Sequence, residues 1–215
     1  MPEINTDLLD YAELHSSDED KLLKELSRET HLKALYPRML SGHLQGKFLE
    51  IISRMIRPKN ILEIGTFTGY SAICMAKGLD KGGKLTTIEI NDEIIHLAEK
   101  YIHKAGLEGS VNIIVGDALQ IIPGLENLYD LIFIDGEKKD YVEYYEVVID
   151  KVRNGGYVIA DNVLWDGKVI KGSDNADKET RGIINFNNHI KNDRRVENVI
   201  LPIRDGLNLI RKKSS

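Results

Sequence analysis

The chain has 215 residues, 42% of them apolar and 29% charged, with a net charge of −5. Lys and Arg are dispersed among Asp and Glu, so no basic stripe offers a footprint for nucleic acid. No apolar run approaches the ~18 residues of a membrane span. The opening "MPEINTDLLDYAELHSSDEDK" is too acidic and polar for a secretory signal. The single cysteine, Cys74, excludes an internal disulfide and fits a reducing, cytoplasmic compartment. Within "SAICMA" it reads as a packed thiol rather than a nucleophile.

At roughly 150 residues per domain, the length suggests one domain with an appendage. Residues 1–57 contain no strand pattern and are expected to form a helical extension. In "SSDEDKLLKELSRET", Ser16 stands as N-cap with Glu19 completing a capping box, and Leu22, Leu23 and Leu26 share a face. A second helix is expected over "GHLQGKFLEIISRMI", stopping before Pro58. From there to residue 215 the pattern changes to short apolar runs: "NILEIG", "KLTTIEI", "VNIIVGD", "DLIFID" and "GYVIAD". Helical stretches near 70–78, 91–105, 117–122 and 138–153 separate or follow them. This alternation predicts an α/β, doubly wound, Rossmann-like parallel sheet, whose ligands gather at the carboxyl ends of the strands. The segment 166–180 reads as an exposed loop at that edge. The ending, "VENVILPIRDGLNLIRK", is a hairpin around Asp205-Gly206 and adds an antiparallel strand.

Several strand ends carry chemistry. "ILEIGTFTGYSA" sets Gly65 just past the first strand and Gly69 at a helix entry, where backbone and free N–H groups can approach a ligand. It departs from the dinucleotide fingerprint and carries Glu63 in the strand end, which would repel a pyrophosphate and suit a cationic ligand. Glu89 closes the second strand, a place where an acid accepts hydrogen bonds from ribose hydroxyls. Asp117, after the third, either caps a helix or, with the backbone at Ala118, meets an adenine edge.

The fourth and fifth strands end on Asp135 and on Asp161-Asn162. If they are neighbours, three oxygen-bearing side chains converge, and two close carboxylates repel unless a cation relieves them. Oxygen donors without His or Cys select a hard cation such as Mg²⁺, Mn²⁺ or Ca²⁺. Adjacent residues on a regular strand face opposite ways, so Asp161 and Asn162 can share a cation only if the backbone leaves strand geometry there. The plainer alternative is that Asp135 caps the next helix and "DN" begins a turn. Lys138 is a surface lysine or, beside a cation, a base whose pKa is lowered. Trp165 and Tyr141 suit either the walls of a planar substrate site or the core.

Strand, "E-I-G-x-x-x-G-x-S", an acid at the second strand end, "GDA" at the third, "ADNVLW" and the final "RDGLNL" closely resemble class I S-adenosylmethionine-dependent methyltransferases. More narrowly, they resemble the cation-dependent O-methyltransferases typified by the caffeoyl-CoA and catechol enzymes. The resemblance implies a seven-stranded sheet of order 3-2-1-4-5-7-6 with strand 7 antiparallel. It implies a cofactor held by Ser41, Glu63, Gly65, Thr66, Ser71, Glu89, Ala118, Asp135, Glu137 and Tyr144, a cation on Asp135, Asp161 and Asn162, and Lys138 as the catalytic base. It further implies a homodimer and a phenolic substrate near Lys138, Tyr141, Trp165 and Asp166. The family often has Asn where this chain has Asp166, and the loop 166–177 is polar and acidic, which favours a small catechol over an acyl-CoA ester. A methyltransferase using another small nucleophile without metal, or a nucleotide-binding regulator without chemistry, are the remaining readings.

Overall fold

The computed structural model describes residues 6–174 and 176–214; residues 1–5 of the expected extension and residue 175 of the expected loop lie outside them. The N-terminal part carries α1 (Thr6–Leu14), α2 (Lys21–Lys33) and α3 (His43–Ile56). There follow β1 (Asn60–Ile64), α4 (Tyr70–Ala76), β2 (Lys84–Glu89), α5 (Ile95–Lys104), β3 (Val111–Val115) and α6 (Ala118–Ile121). The chain continues through β4 (Tyr129–Ile134), α7 (Tyr141–Ile149), β5 (Val152–Ala160), α8 (Lys178–Asn192), β6 (Val196–Leu201) and β7 (Leu207–Lys212). The strands form one sheet in the order β3-β2-β1-β4-β5-β7-β6, and β7 runs antiparallel to both β5 and β6. The expected order and the antiparallel last strand are both present.

Each face of the sheet is covered, which explains the unbroken apolar runs. Along β4, Ile132 and Ile134 join the core beneath α6, α7 and α8, while Leu131 and Phe133 join the one beneath α2 to α5. Helix α2 is held to the far layer by polar ties: Glu29 accepts from Lys100 and from the Tyr101 hydroxyl (2.6 Å), and Glu25 pairs with Lys104 (2.6 Å). No helix among the described residues is long and apolar enough to cross a membrane.

Three local expectations change. The cap of α2 is Asp20, whose carboxylate accepts from Leu22 N at 2.8 Å; Ser16 instead bonds back to Ala12 O, and Glu19 is drawn to the Tyr70 hydroxyl. The stretch read as an exposed loop is partly ordered, with 3₁₀ turns at Trp165–Lys171 broken by a kink at Asp166 and Gly167. Its end is the first turn of α8, a helix the sequence reading did not mark, capped by Asp177.

Two glycines place the site by close approach. At Gly65 (φ 97°) a Cβ would meet the carbonyl oxygen of Asp135. At Gly182, on α8, it would meet the backbone of Lys138 and, at 2.6 Å, that of Lys139. Gly182→Ala must therefore push α8 away from the Lys138 turn. A loss of about 1–3 kcal/mol in urea unfolding is expected, in line with overpacking of a tight contact; unchanged stability would show that this helix has room to move.

Candidate active site

In the β4–β5 register Ile134 lies opposite Ala160, so the next residues, Asp135 and Asp161, emerge side by side at the carboxyl edge. The Asp161 N–H still reaches Ile134 O at 2.9 Å, after which the chain turns out of the sheet. Asn162 sits in the left-handed region (φ 57°), the departure from strand geometry that lets adjacent side chains serve one point. Asp161 is 3% exposed. Burial, and then the neighbouring Asp135 carboxylate, push its pKa up to about 7. Asp135 therefore does more than end a strand: with Asp161 it stores a charge conflict at the edge.

The groups around this pair are specific. Gln45, in the first turn of α3 and 1% exposed, donates from Nε2 to Asp161 Oδ2 at 2.5 Å. Its Oε1 is buried without a partner. Asn162 turns its amide Nδ2 toward Asp205 at 3.5 Å, leaving Oδ1 unclaimed. Lys138 Nζ donates to Asp135 Oδ1 (2.8 Å), Gly136 O (3.0 Å) and the Tyr141 hydroxyl (2.9 Å). Burial opposes its charge, but Asp135 and Tyr141 outweigh that and hold Lys138 above the ordinary lysine range. The protein's own groups thus move it opposite to the expected lowering, because a carboxylate is its nearest neighbour.

An all-oxygen set of Asp135, Asp161 and the free Oδ1 of Asn162, with repulsion between the first two and an orphaned Gln45 oxygen nearby, fits a hard divalent cation. A second cluster is a different object: Glu146, His189 and Asp193 have ligand atoms within 4.8 Å of one another, but Arg195 already pairs with both Glu146 (3.0 Å) and Asp193 (2.7 Å).

Along the rest of the edge, Glu89 accepts from Phe67 N (2.7 Å) and Asn91 N (2.9 Å), tying the glycine loop to β2. Glu63 is 0% exposed, and both of its oxygens are engaged, by Ser71 and by Thr87, at 2.5 Å each; Thr66 shares a 2.6 Å hydroxyl contact with Thr87. Glu63 and Ser71 are therefore joined beneath the loop. From above, Thr30 of α2 donates to Thr68 at 3.1 Å. Asp117 caps α6 through Leu119 N at 2.9 Å, and Ala118 is buried behind it. Glu137 is exposed, and the Tyr144 ring lies against Gly136. Ser41 is buried, with its carbonyl taken by Arg204.

The expected substrate wall divides. Tyr141 is 0% exposed: its ring packs edge-on to Phe186 at 5.4 Å and its hydroxyl donates to Asp161 O at 3.0 Å. It is a buttress in the core and not a wall, because α7 turns this face inward. Trp165 is half-buried with its Nε1 unpartnered, and Asp166 is exposed. The reading missed Gln45 and Asp205. For Gln45 a signal existed, a polar side chain in line with buried Leu49 and Ser53 on α3; for Asp205 the turn reading concealed it.

The family model described as O-methyltransferase matches residues 13–213. The chain belongs to the O-methyltransferase family. Among its relatives, caffeoyl-CoA O-methyltransferase 2 of Populus trichocarpa is 33% identical over 205 residues, covering 90% of this chain and 83% of that one. Catechol O-methyltransferase of Niastella koreensis is 43% identical over 130 residues, 59% of each chain. The solved structure of an O-methyltransferase from Bacillus cereus in complex with SAH superposes with a TM-score of 0.89 at 31% identity, covering 96% of this chain and 97% of that one. In this chain four acidic residues stand at or just past the carboxyl ends of four strands: Glu63 on β1, Glu89 on β2, Asp135 after β4 and Asp161 after β5.

Glu63 yields a test of stability. Burial, opposed by the Ser71 and Thr87 hydroxyls, raises its pKa from 4.5 to about 8. The folded form therefore holds a proton that the unfolded chain releases, and stability falls as pH rises from about 4.5 to about 8. Glu63→Gln should remove that slope, raising Tm by roughly 2–6 °C at pH 8 and by less at pH 5. A Tm difference that does not vary with pH would place an ionised carboxylate in the folded protein.

Proposed function

We propose that the protein transfers the methyl group of S-adenosylmethionine to one hydroxyl of a vicinal dihydroxy aromatic, with a divalent cation (Mg²⁺, Mn²⁺ or Ca²⁺) at Asp135, Asp161 and Asn162. The observation that carries the reading is the meeting of two carboxylates and a free amide oxygen at one buried edge beside Lys138. The cofactor assignment draws on the SAH bound in the Bacillus cereus relative. Ser41, Gly65, Thr66, Glu89, Ala118, Glu137 and Tyr144 are the proposed cofactor shell, with Glu63 and Ser71 acting from beneath. An exposed Asp166 at this edge favours a free catechol over a CoA ester.

A cation at this set supplies Lewis acidity toward the acceptor hydroxyl. The chain's own residues do the rest. Asp161 is kept in place by Gln45 and the Tyr141 hydroxyl. Lys138 would serve as the base: a dication held at Asp135 would weaken that carboxylate's support of the ammonium, which would release its own proton to solvent and as the neutral amine take the acceptor's proton. Asp161→Ala should nearly abolish turnover of caffeic acid while SAH affinity by titration calorimetry stays within about twofold, because the changed group faces the acceptor. EDTA should do the same to the unaltered protein; full activity in EDTA would remove the cation from the mechanism.

Lys138→Ala is expected to lower kcat by about 10²–10⁴-fold near neutral pH, in the range of general base catalysis. A kcat profile from about pH 6 to 10 separates the roles. Recovery at high pH fits a lost base, whereas a deficit at every pH fits lost electrostatic positioning, and no deficit returns Lys138 to a structural part.

A further inference from the structure

The turn between β6 and β7 reaches back over the carboxyl edge. Arg204, itself in the left-handed region (φ 50°), donates through Nη1 to Leu40 O at 2.9 Å and to Ser41 O. That clasp seats the turn on the segment leading into α3. Asp205 comes next and grips the loop after β5 in several places. Its Oδ1 accepts the Asp166 N–H at 2.5 Å, its carbonyl accepts from Leu164 N at 2.9 Å, and Gly206 O accepts from Val163 N at 3.1 Å. The remaining carboxylate oxygen, Oδ2, faces Asn162 Nδ2 at 3.5 Å.

The last contact has a chemical consequence. An Asn amide has two ends of nearly equal shape, and only the oxygen end can ligate a hard cation. A carboxylate only accepts, so beside Asn162 it favours the NH₂ end and disfavours the oxygen. At this separation the preference acts as charge against dipole as well as through a directional bond. We propose that Asp205 is a positioning residue that fixes the amide orientation of Asn162, presenting Oδ1 to the divalent-cation site shared with Asp135 and Asp161. The inference rests on the cation reading proposed above. It assigns the hairpin turn a part in binding the cation beyond its part in closing the sheet.

Asp205→Asn separates this role from simple anchoring. The replacement keeps an oxygen for the Asp166 N–H, but it no longer presents an acceptor-only group to Asn162. Binding of Mn²⁺ to the full chain, followed by the EPR signal of the free ion, should weaken by about tenfold or more, the scale of groups that orient metal ligands. The same change is then made in an Asn162→Asp background, where either oxygen can ligate and the other can accept from the new amide. There it should cost nothing or improve affinity. Equal losses in the two backgrounds, or a loss below about twofold in the first, would overturn the positioning role while leaving the cation site standing. Failure of the unaltered protein to bind Mn²⁺ at all would overturn both readings. Thermal melts of each variant without metal confirm that folded proteins are being compared.

Discussion

Two carboxylates forced side by side at the edge of a buried sheet are the constraint on which the rest of the site depends. The parallel register of β4 and β5 puts Asp135 and Asp161 next to each other, and neither strand can shift without carrying its alternating core residues to the wrong face. Burial makes the repulsion expensive, so the surroundings are organised to manage it. Gln45 donates a hydrogen bond to Asp161, and Lys138 pairs its charge with Asp135. Both contacts come from elements already committed to the core, α3 and the turn before α7.

This explains why so much of the structure converges on a short stretch of edge. Tyr141 is buried to the last atom, and it joins Lys138 to the Asp161 carbonyl. Gly182 lets α8 lie directly on the Lys138 backbone, and Gly65 lets the first-strand loop touch the Asp135 carbonyl. The left-handed residues Asn162, Trp165 and Asp166 follow in quick succession. Left-handed backbone is costly for non-glycine residues and persists only where neighbours over-determine it; here the Asp205 turn supplies those neighbours.

The β1–β2 half of the edge, where the cofactor is proposed to bind, is organised differently. Its acids are satisfied by donors from the protein itself, Glu63 by two hydroxyls and Glu89 by two backbone N–H groups. They stiffen the glycine loop, whereas the Asp135–Asp161 pair is left in tension. A preorganised half beside an electrostatically tense half is the division that the proposed function calls for, one to hold a cofactor and the other to activate an acceptor.

Much of this was legible in one dimension. Apolar runs of strand length, punctuated by helices and ended by acids, report a two-sided parallel sheet with a polar carboxyl edge, since both follow from local periodicity and from what can be buried. The terminal hairpin was legible for the same reason, as Asp205-Gly206 between two apolar runs is a turn signal. What only the tertiary structure decided are relations between distant segments. The capping-box pattern pointed to Ser16, but the cap is Asp20, and Glu19, which would have completed the box, is drawn to the Tyr70 hydroxyl. Tyr141 could have faced a substrate, but the packing of α8 against α7 turned it inward. Asp205 reads in the sequence only as part of a turn and Gln45 only as a polar residue on a buried helix face, and they enter the site because the β6–β7 turn and α3 close over the same strand ends. Periodicity records which face of an element is buried; which polar atoms then meet across elements depends on long-range packing, and no local pattern encodes it.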